Sequence, residues 1–265
     1  MPPLRARARS LALALLVSLP ALPLGAAMPE LGRDWLVSDW PAGQTKIMDW
    51  SPQMVRRGPE GVHLILDRNP HHLSRDPASR PWLGGEIQSR TAAVTGIWRW
   101  RVRVPEMVDG AVFGMFLYRA NHDRHPWREY DLEFVGAGTT RLEINIHFED
   151  AAGNRVSLAD TQGGPVIVDL GFDAAQGFHD YEIEVRPGRA IFRVDGRVVG
   201  DFDAADMPQG IWSDGPLKSF VDLWAASPGQ AGWTGAWRDP GRPLVATVAG
   251  AELPADPAPE GTTAP

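Results

Sequence analysis

The chain reads as an all-β protein, an antiparallel sandwich or jelly roll. Short runs of alternating apolar and polar residues recur along it, the period of a strand with one face in a core. Gly and Pro, 28 and 24 of the 265 residues, punctuate these runs at turn positions. Neither a long amphipathic helix nor an internal repeat is visible. Many strands with almost no helix bury their apolar faces by stacking sheet on sheet.

The first 27 residues, MPPLRARARSLALALLVSLPALPLGAA, are expected to stand outside the fold. Arg5, Arg7 and Arg9 precede a short Leu/Ala-rich run, and Gly25 and Ala27 suit a cleavage site. That is the pattern of a secretory signal peptide. The run is short and broken by Pro, a poor membrane span; an uncleaved anchor is the alternative. Secretion, or release into the periplasm, is the expected localisation, with no membrane attachment after cleavage. Residues 28–252 are long enough for one large β domain. The Pro/Ala-rich residues 253–265 are expected to be a disordered tail.

Within the domain, residues 28–60 are rich in Trp, Pro and Gly, with weak periodicity. GVHLILD (61–67) reads as a strand and RNPHHLSRDPASRP as a loop. GGEIQSR (84–90) and GIWRWRVRVP (96–105) read as strands. The second puts Trp98, Trp100, Val102 and Val104 on a core face, and Arg99, Arg101 and Arg103 on a solvated or cleft-flanking one. GAVFGMFLYR (110–119) is expected to be a central apolar strand. EYDLEFVG and TTRLEINIHFED (139–150) follow the loop ANHDRHPW. HDYEIEVRPGRAIFRVDGRVVGDF (179–202) holds two hairpins' worth of alternation, turning at RPGR and VDGR. LKSFVDLWAAS (217–227) is another strand, and PLVATVAG the last.

Composition excludes several functions. There is no Cys, hence no thiol nucleophile, thiolate metal site or disulfide, and stability must come from the core. A formal charge of −7 gives nucleic acid nothing to bind. Eleven Trp point elsewhere: indole faces stack on the apolar C–H faces of sugar rings. His71, His72, His122 and His125 lie in Pro-flanked loops with no acid-rich strand beside them, so no metal is expected.

The chemistry sits in HPWREYDLEFVG. At period two, Glu129, Asp131 and Glu133 share one strand face, and Tyr130, Leu132 and Phe134 the other. Like charges at i and i+2 repel, and a cleft worsens this, so at least one carboxyl is pushed to a higher pKa. Glycoside hydrolysis needs that split: an ionised nucleophile and a protonated acid. A wet amphipathic strand would carry such acids too. Strand rise places Glu129 and Glu133 roughly 13 Å apart at Cα, so the carboxyls must lean together to reach the roughly 5–5.5 Å of a retaining pair.

The context of these residues resembles glycoside hydrolase family 16, and bacterial lichenases in particular. EYDLEFVG followed by TTRLEINIHF looks like the family's catalytic strand and its neighbour. VDLGFDAAQGFHDYEIEVRPGRAIFRVDGRVV resembles a downstream segment, and GGEIQSR, GIWRWRVRVP and GAVFGMFLYR an upstream one. The likeness runs from about residue 84 to 237. It implies a concanavalin A-like β-sandwich jelly roll with two curved antiparallel sheets and an open cleft. It implies Glu129 as nucleophile, Glu133 as general acid and base, and Asp131 as their hydrogen-bonding neighbour. Trp127 would stack on substrate, and Asn145, Glu86, Arg90, His147 and Trp224 would line the cleft. The implied activity is endo-acting, retaining hydrolysis of a β-linked glucan: mixed-linkage β-1,3-1,4-glucan or a related bacterial exopolysaccharide, with β-1,3-glucan next. A lectin-like binding protein on the same fold and a transglycosylase are the alternatives.

Several positions depart from the family pattern. Tyr130 replaces an aliphatic residue, Ile146 and His147 replace two tyrosines, and Asp222 replaces an Asn. No Trp precedes Pro-Gly. Arg119, Arg124 and Arg128 crowd the preceding loop, which suits an acidic polysaccharide. The structural calcium of some members uses an Asp on the last strand that PLVATVAG lacks. No cofactor is expected, the only expected partner is a polysaccharide substrate, and the chain is expected to be a monomer.

Overall fold

The structure, a computed structural model, describes residues 27–72, 79–120 and 125–255. All but the last residue of the expected signal peptide, most of the expected tail, and His122 and Arg124 lie outside the described residues. The strands are β1 (Trp35–Val37), β2 (Met48–Trp50), β3 (Val55–Gly58), β4 (Gly61–Arg68), β5 (Trp82–Ser89), β6 (Gly96–Arg103), β7 (Ala111–Arg119) and β8 (Arg128–Val135). They continue with β9 (Arg141–Glu149), β10 (Arg155–Ser157), β11 (Val166–Asp169), β12 (His179–Arg186), β13 (Arg189–Val194), β14 (Arg197–Asp203), β15 (Leu217–Ala225) and β16 (Leu244–Glu252). Two one-turn helices, α1 (Ala159–Gln162) and α2 (Ala231–Thr234), are set between them.

The strands form a jelly roll of two layers. One runs β10-β9-β8-β7-β15-β5 and the other β4-β16-β6-β12-β13-β14. Pairing is antiparallel throughout this path; β2 joins β5 in parallel. The two layers share β5. Its first residues pair with β4, Leu66 opposite Gly84, and its later ones with β15, Leu223 opposite Gly85. The strand changes sheets at a Gly-Gly step, as strands do at the corner of a sandwich. A Cβ on Gly85 would lie 2.5 Å from the Met54 carbonyl oxygen and 3.1 Å from the Ile65 nitrogen, so only glycine fits.

Period-two alternation builds the core. Trp98 and Trp100 of β6 are fully buried, as are Tyr130, Leu132 and Phe134 of β8. Trp100 joins the layers, its indole N–H donating to Ser219 Oγ of β15 at 3.0 Å. Arg99, Arg101 and Arg103 take the outer face of the second sheet, away from β8. They pair there with Glu182 and Glu252, Asp180 and Glu60, so the solvated alternative holds for them. The turns at Gly188 (φ 68°) and at Asp195 and Gly196 (φ 47° and 76°) use the left-handed region. β1, β2, β3, β10 and β11 have three or four residues each, too few to show a period in the sequence.

Gly85→Ala is expected to cost about 1–3 kcal/mol by overpacking the corner. Thermal unfolding would show this as roughly 2–4 °C of Tm per kcal/mol. An unchanged Tm would mean the corner relaxes freely.

Candidate active site

Register across the first sheet lays out the cleft floor in rows. Glu86, Asp222, Gly114, Glu133 and Glu143 form one, from β5 through β15, β7 and β8 to β9. Gln88, Phe220, Phe116, Asp131 and Asn145 form the next. Lys218, Tyr118, Glu129 and His147 form the third. The cleft above holds about 690 Å³ and is lined by Trp40, Trp50, the stacked pair Phe116 and Phe220, Lys46 and Arg119.

Gly114 is the gap in the first row. A Cβ there would stand 2.8 Å from Asp222 Oδ1, so glycine makes room for that carboxyl. Burial is the main force on these acids. It pushes Glu129 up to about 7, while the Trp127 indole N–H and the charges of Lys46, Arg155 and Arg119 pull the other way. Burial, then Glu129 and Glu143, push Glu133 up to about 8. Asp131 and Asp222 are raised well above the usual carboxylate range by burial first and neighbouring acids second. Glu86 rises to about 7 through burial, opposed by the Ser38 hydroxyl that donates to it and by Lys46.

The expected trio therefore shares one face of β8; Glu129 lines the cleft, and Glu86, which also lines it, stands three strands from β8 in the same sheet. Trp127 immediately precedes β8. Its ring packs against His147, with centroids 4.9 Å apart and planes 13° apart, and the Arg155 guanidinium lies 4.3 Å from its centroid. What Trp127 gives the site is its N–H, donated to Glu129 Oε2 at 2.8 Å. His147 is neutral, lowered to about 4 by burial, and its Nε2 is 3.5 Å from Asp131 Oδ2. Asn145 lies opposite Asp131, and its Oδ1 accepts the Ala159 N–H at the start of α1. Trp224 is buried beneath Lys46, whose Nζ is 4.2 Å from the ring centroid. Arg90 is exposed past the end of β5 and is not among the residues lining the cleft.

Arg119 does line the cleft, whereas Arg128 does not. Its side chain is buried on the core side of β8 and donates to Ser213 Oγ at 2.9 Å. Lys46, Trp40, Trp50, Phe116, Tyr118, Lys218 and Phe220 all escaped the sequence reading as cleft residues, whereas Asp222, noted there as a departure from the family pattern, does line the cleft. Even-numbered alternation from Gly114 would have found Phe116 and Tyr118; the segment around Lys46 carries no such signal. No group of three or more His, Asp or Glu side chains able to hold a metal occurs among the described residues.

A cleft lined with aromatic rings and carboxyls suits a sugar ligand. Residues 43–240 match the model for glycosyl hydrolases family 16, and the chain belongs to that family. It is similar to a beta-glucanase of Acetivibrio thermocellus, with 32% identity over 62% of this chain and 44% of that protein. The chain thus spans less than half of that relative. A beta-glucanase of Brevibacillus brevis is 28% identical over 77% of this chain and 70% of its own. The endo-1,3-1,4-beta-glycanase ExoK of Rhizobium meliloti is 28% identical, with 72% and 64% covered. Among solved structures, a Bacillus licheniformis beta-glucanase superposes with TM-score 0.65 at 25% identity, covering 82% of this chain and 90% of its own. The laminarinase catalytic domain of Thermotoga maritima, at 13% identity and TM-score 0.67, shares the fold.

The raised carboxyls set a pH dependence of stability. The folded state keeps protons that the unfolded chain, at an ordinary 4.5, has released. Their contribution is fully present below that value and is lost as pH rises through about 7 and 8. The Tm is expected to fall between about pH 5 and pH 8, and Glu129→Gln to flatten that fall. An unaltered slope in the variant would show that Glu129 ionises freely.

Proposed function

We propose that the protein is an exported, endo-acting, retaining β-glucanase. The observation that carries this is the split within the trio. Glu129 has an N–H donor and three nearby cations favouring its ionised form, and Glu133 has neighbouring acids favouring its protonated one. Glu129 attacks the anomeric carbon while Glu133 gives its proton to the leaving oxygen. A covalent glycosyl-enzyme forms; Glu133, now a carboxylate, takes a proton from water, which displaces Glu129. Asp131, kept protonated between them by burial first and by its acidic neighbours second, offers a hydrogen bond without adding a second negative charge. The aromatic walls grip successive sugars.

The substrate that fits best is a β-1,3-1,4-glucan or related bacterial exopolysaccharide. Lys46 and Arg119 on the cleft lining, with Arg155 over Trp127, favour a glucan bearing acidic groups. Export rests on the leading Arg-then-apolar segment.

Product analysis tests the assignment. Mixed-linkage glucan, laminarin and an acidic exopolysaccharide are digested in parallel and the products sized by mass spectrometry. Short oligomers are expected from one of them, with Glu129→Gln and Glu133→Gln each reduced by about 10³-fold or more. Binding of all three without cleavage would favour a lectin-like protein, and longer products than substrate a transglycosylase.

Trp127→Phe keeps a ring against His147 and removes the donor to Glu129. The Glu129 carboxyl is then expected to titrate higher, so the acid limb of kcat/KM moves to higher pH. A limb that stays in place would show that this hydrogen bond does not tune the nucleophile.

A further inference from the structure

The β8–β9 ladder sets Glu133 directly opposite Glu143. Two carboxyls so placed repel when both are ionised, so one must hold its proton or they must move apart. Glu143 is the one equipped to ionise. Its Oε2 accepts the Trp233 indole N–H at 2.8 Å, and Arg141 on the same strand adds a positive charge. Glu133 has no such donor among the described residues. The groups facing it are acidic, Glu129 and Asp131 on its own strand and Asp222 from β15, opposed by Lys46. On its β7 side stands Gly114, with no side chain to offer.

We propose that Glu143, anchored by Trp233, is a positioning residue that keeps Glu133 protonated and ready to donate to the leaving oxygen. This rests on Glu133 being the acid and base of the reaction. Burial raises the Glu143 carboxyl, but the Trp233 hydrogen bond and Arg141 pull it back. Glu133 is pushed up by burial, Glu129 and Glu143 together. Glu143 therefore gives up its proton first, and its charge then resists the ionisation of Glu133. The same charge serves the second half of the reaction. Once Glu133 has lost its proton, an ionised Glu143 across the ladder makes it a stronger base toward water. Trp233, partly exposed on the one-turn helix α2, thereby reaches the reacting proton through two carboxyls without touching it.

A ¹³C-carboxyl titration of Glu133, assigned by comparison with Glu133→Gln, reads this without any substrate. Glu143→Gln keeps an oxygen for the Trp233 N–H and loses the charge. In it the Glu133 midpoint is expected to fall by about 0.5–1 unit, with the basic limb of kcat/KM moving down alongside. Trp233→Phe is expected to shift the midpoint in the same direction by less, and it carries the test if Glu143→Gln does not fold. A midpoint within about 0.2 unit of wild type in a natively folded Glu143→Gln, or a rise, overturns the proposal. A fall in a protein that cuts no glycan upholds the pairing and sinks the assigned function instead.

Discussion

Several carboxyl groups crowd one face of the first sheet, and they cannot all be ionised at once. Glu86, Glu129, Asp131, Glu133 and Asp222 are each held above the usual carboxylate range, with burial the first cause every time. Much of what surrounds them follows from this constraint. Gly114 leaves the space that Asp222 occupies. Lys46, braced over Trp224, supplies a cation that favours ionisation of four of them. Ser38 and Trp127 each give a hydrogen to one particular carboxyl. The acids differ because Lys46 acts on four of them, while a hydrogen-bond donor from Ser38 or Trp127 reaches only Glu86 and Glu129.

The other face of β8 makes that floor possible. Tyr130, Leu132 and Phe134 alternate with the trio, and all three are fully buried. Tyr130 meets Phe148 edge-on at 5.7 Å, and Phe134 meets Tyr181 likewise at 5.9 Å. A one-residue slip would exchange the apolar and acidic sets, so core packing fixes the catalytic register as firmly as any contact in the cleft. Trp100, bonded across to Ser219, ties the second sheet to the strand that carries Asp222.

This division also explains what could be read from the sequence. Long strands with two clear faces, such as β6, β8 and β9, declare both core and site through alternation alone. Glu129 and Tyr130 are legible at a glance as opposite-facing neighbours. Arg128 obeys the same alternation, yet it reads as a cleft residue when grouped with the preceding loop. Lys46 arrives from a weakly periodic segment whose place depends on pairing between β2 and β5, a contact with no local trace. Trp127 was visible as an aromatic beside the motif, but its partners His147 and Arg155 come from β9 and β10. Whether an indole offers its face or its N–H depends on those distant strands.

Chain order gives the floor a further property. Of the five strands that carry the rows, β5, β7, β8 and β9 are finished by residue 149, while β15 begins at Leu217. Yet β15 lies between β5 and β7. The earlier strands thus leave a slot that a much later segment must fill, a pairing of long sequence separation and hence slow closure. Asp222, the link between Glu86 and Gly114 in the first row, arrives with that segment. The row from Glu86 to Glu143 is therefore complete only when the chain past residue 217 has joined the sheet.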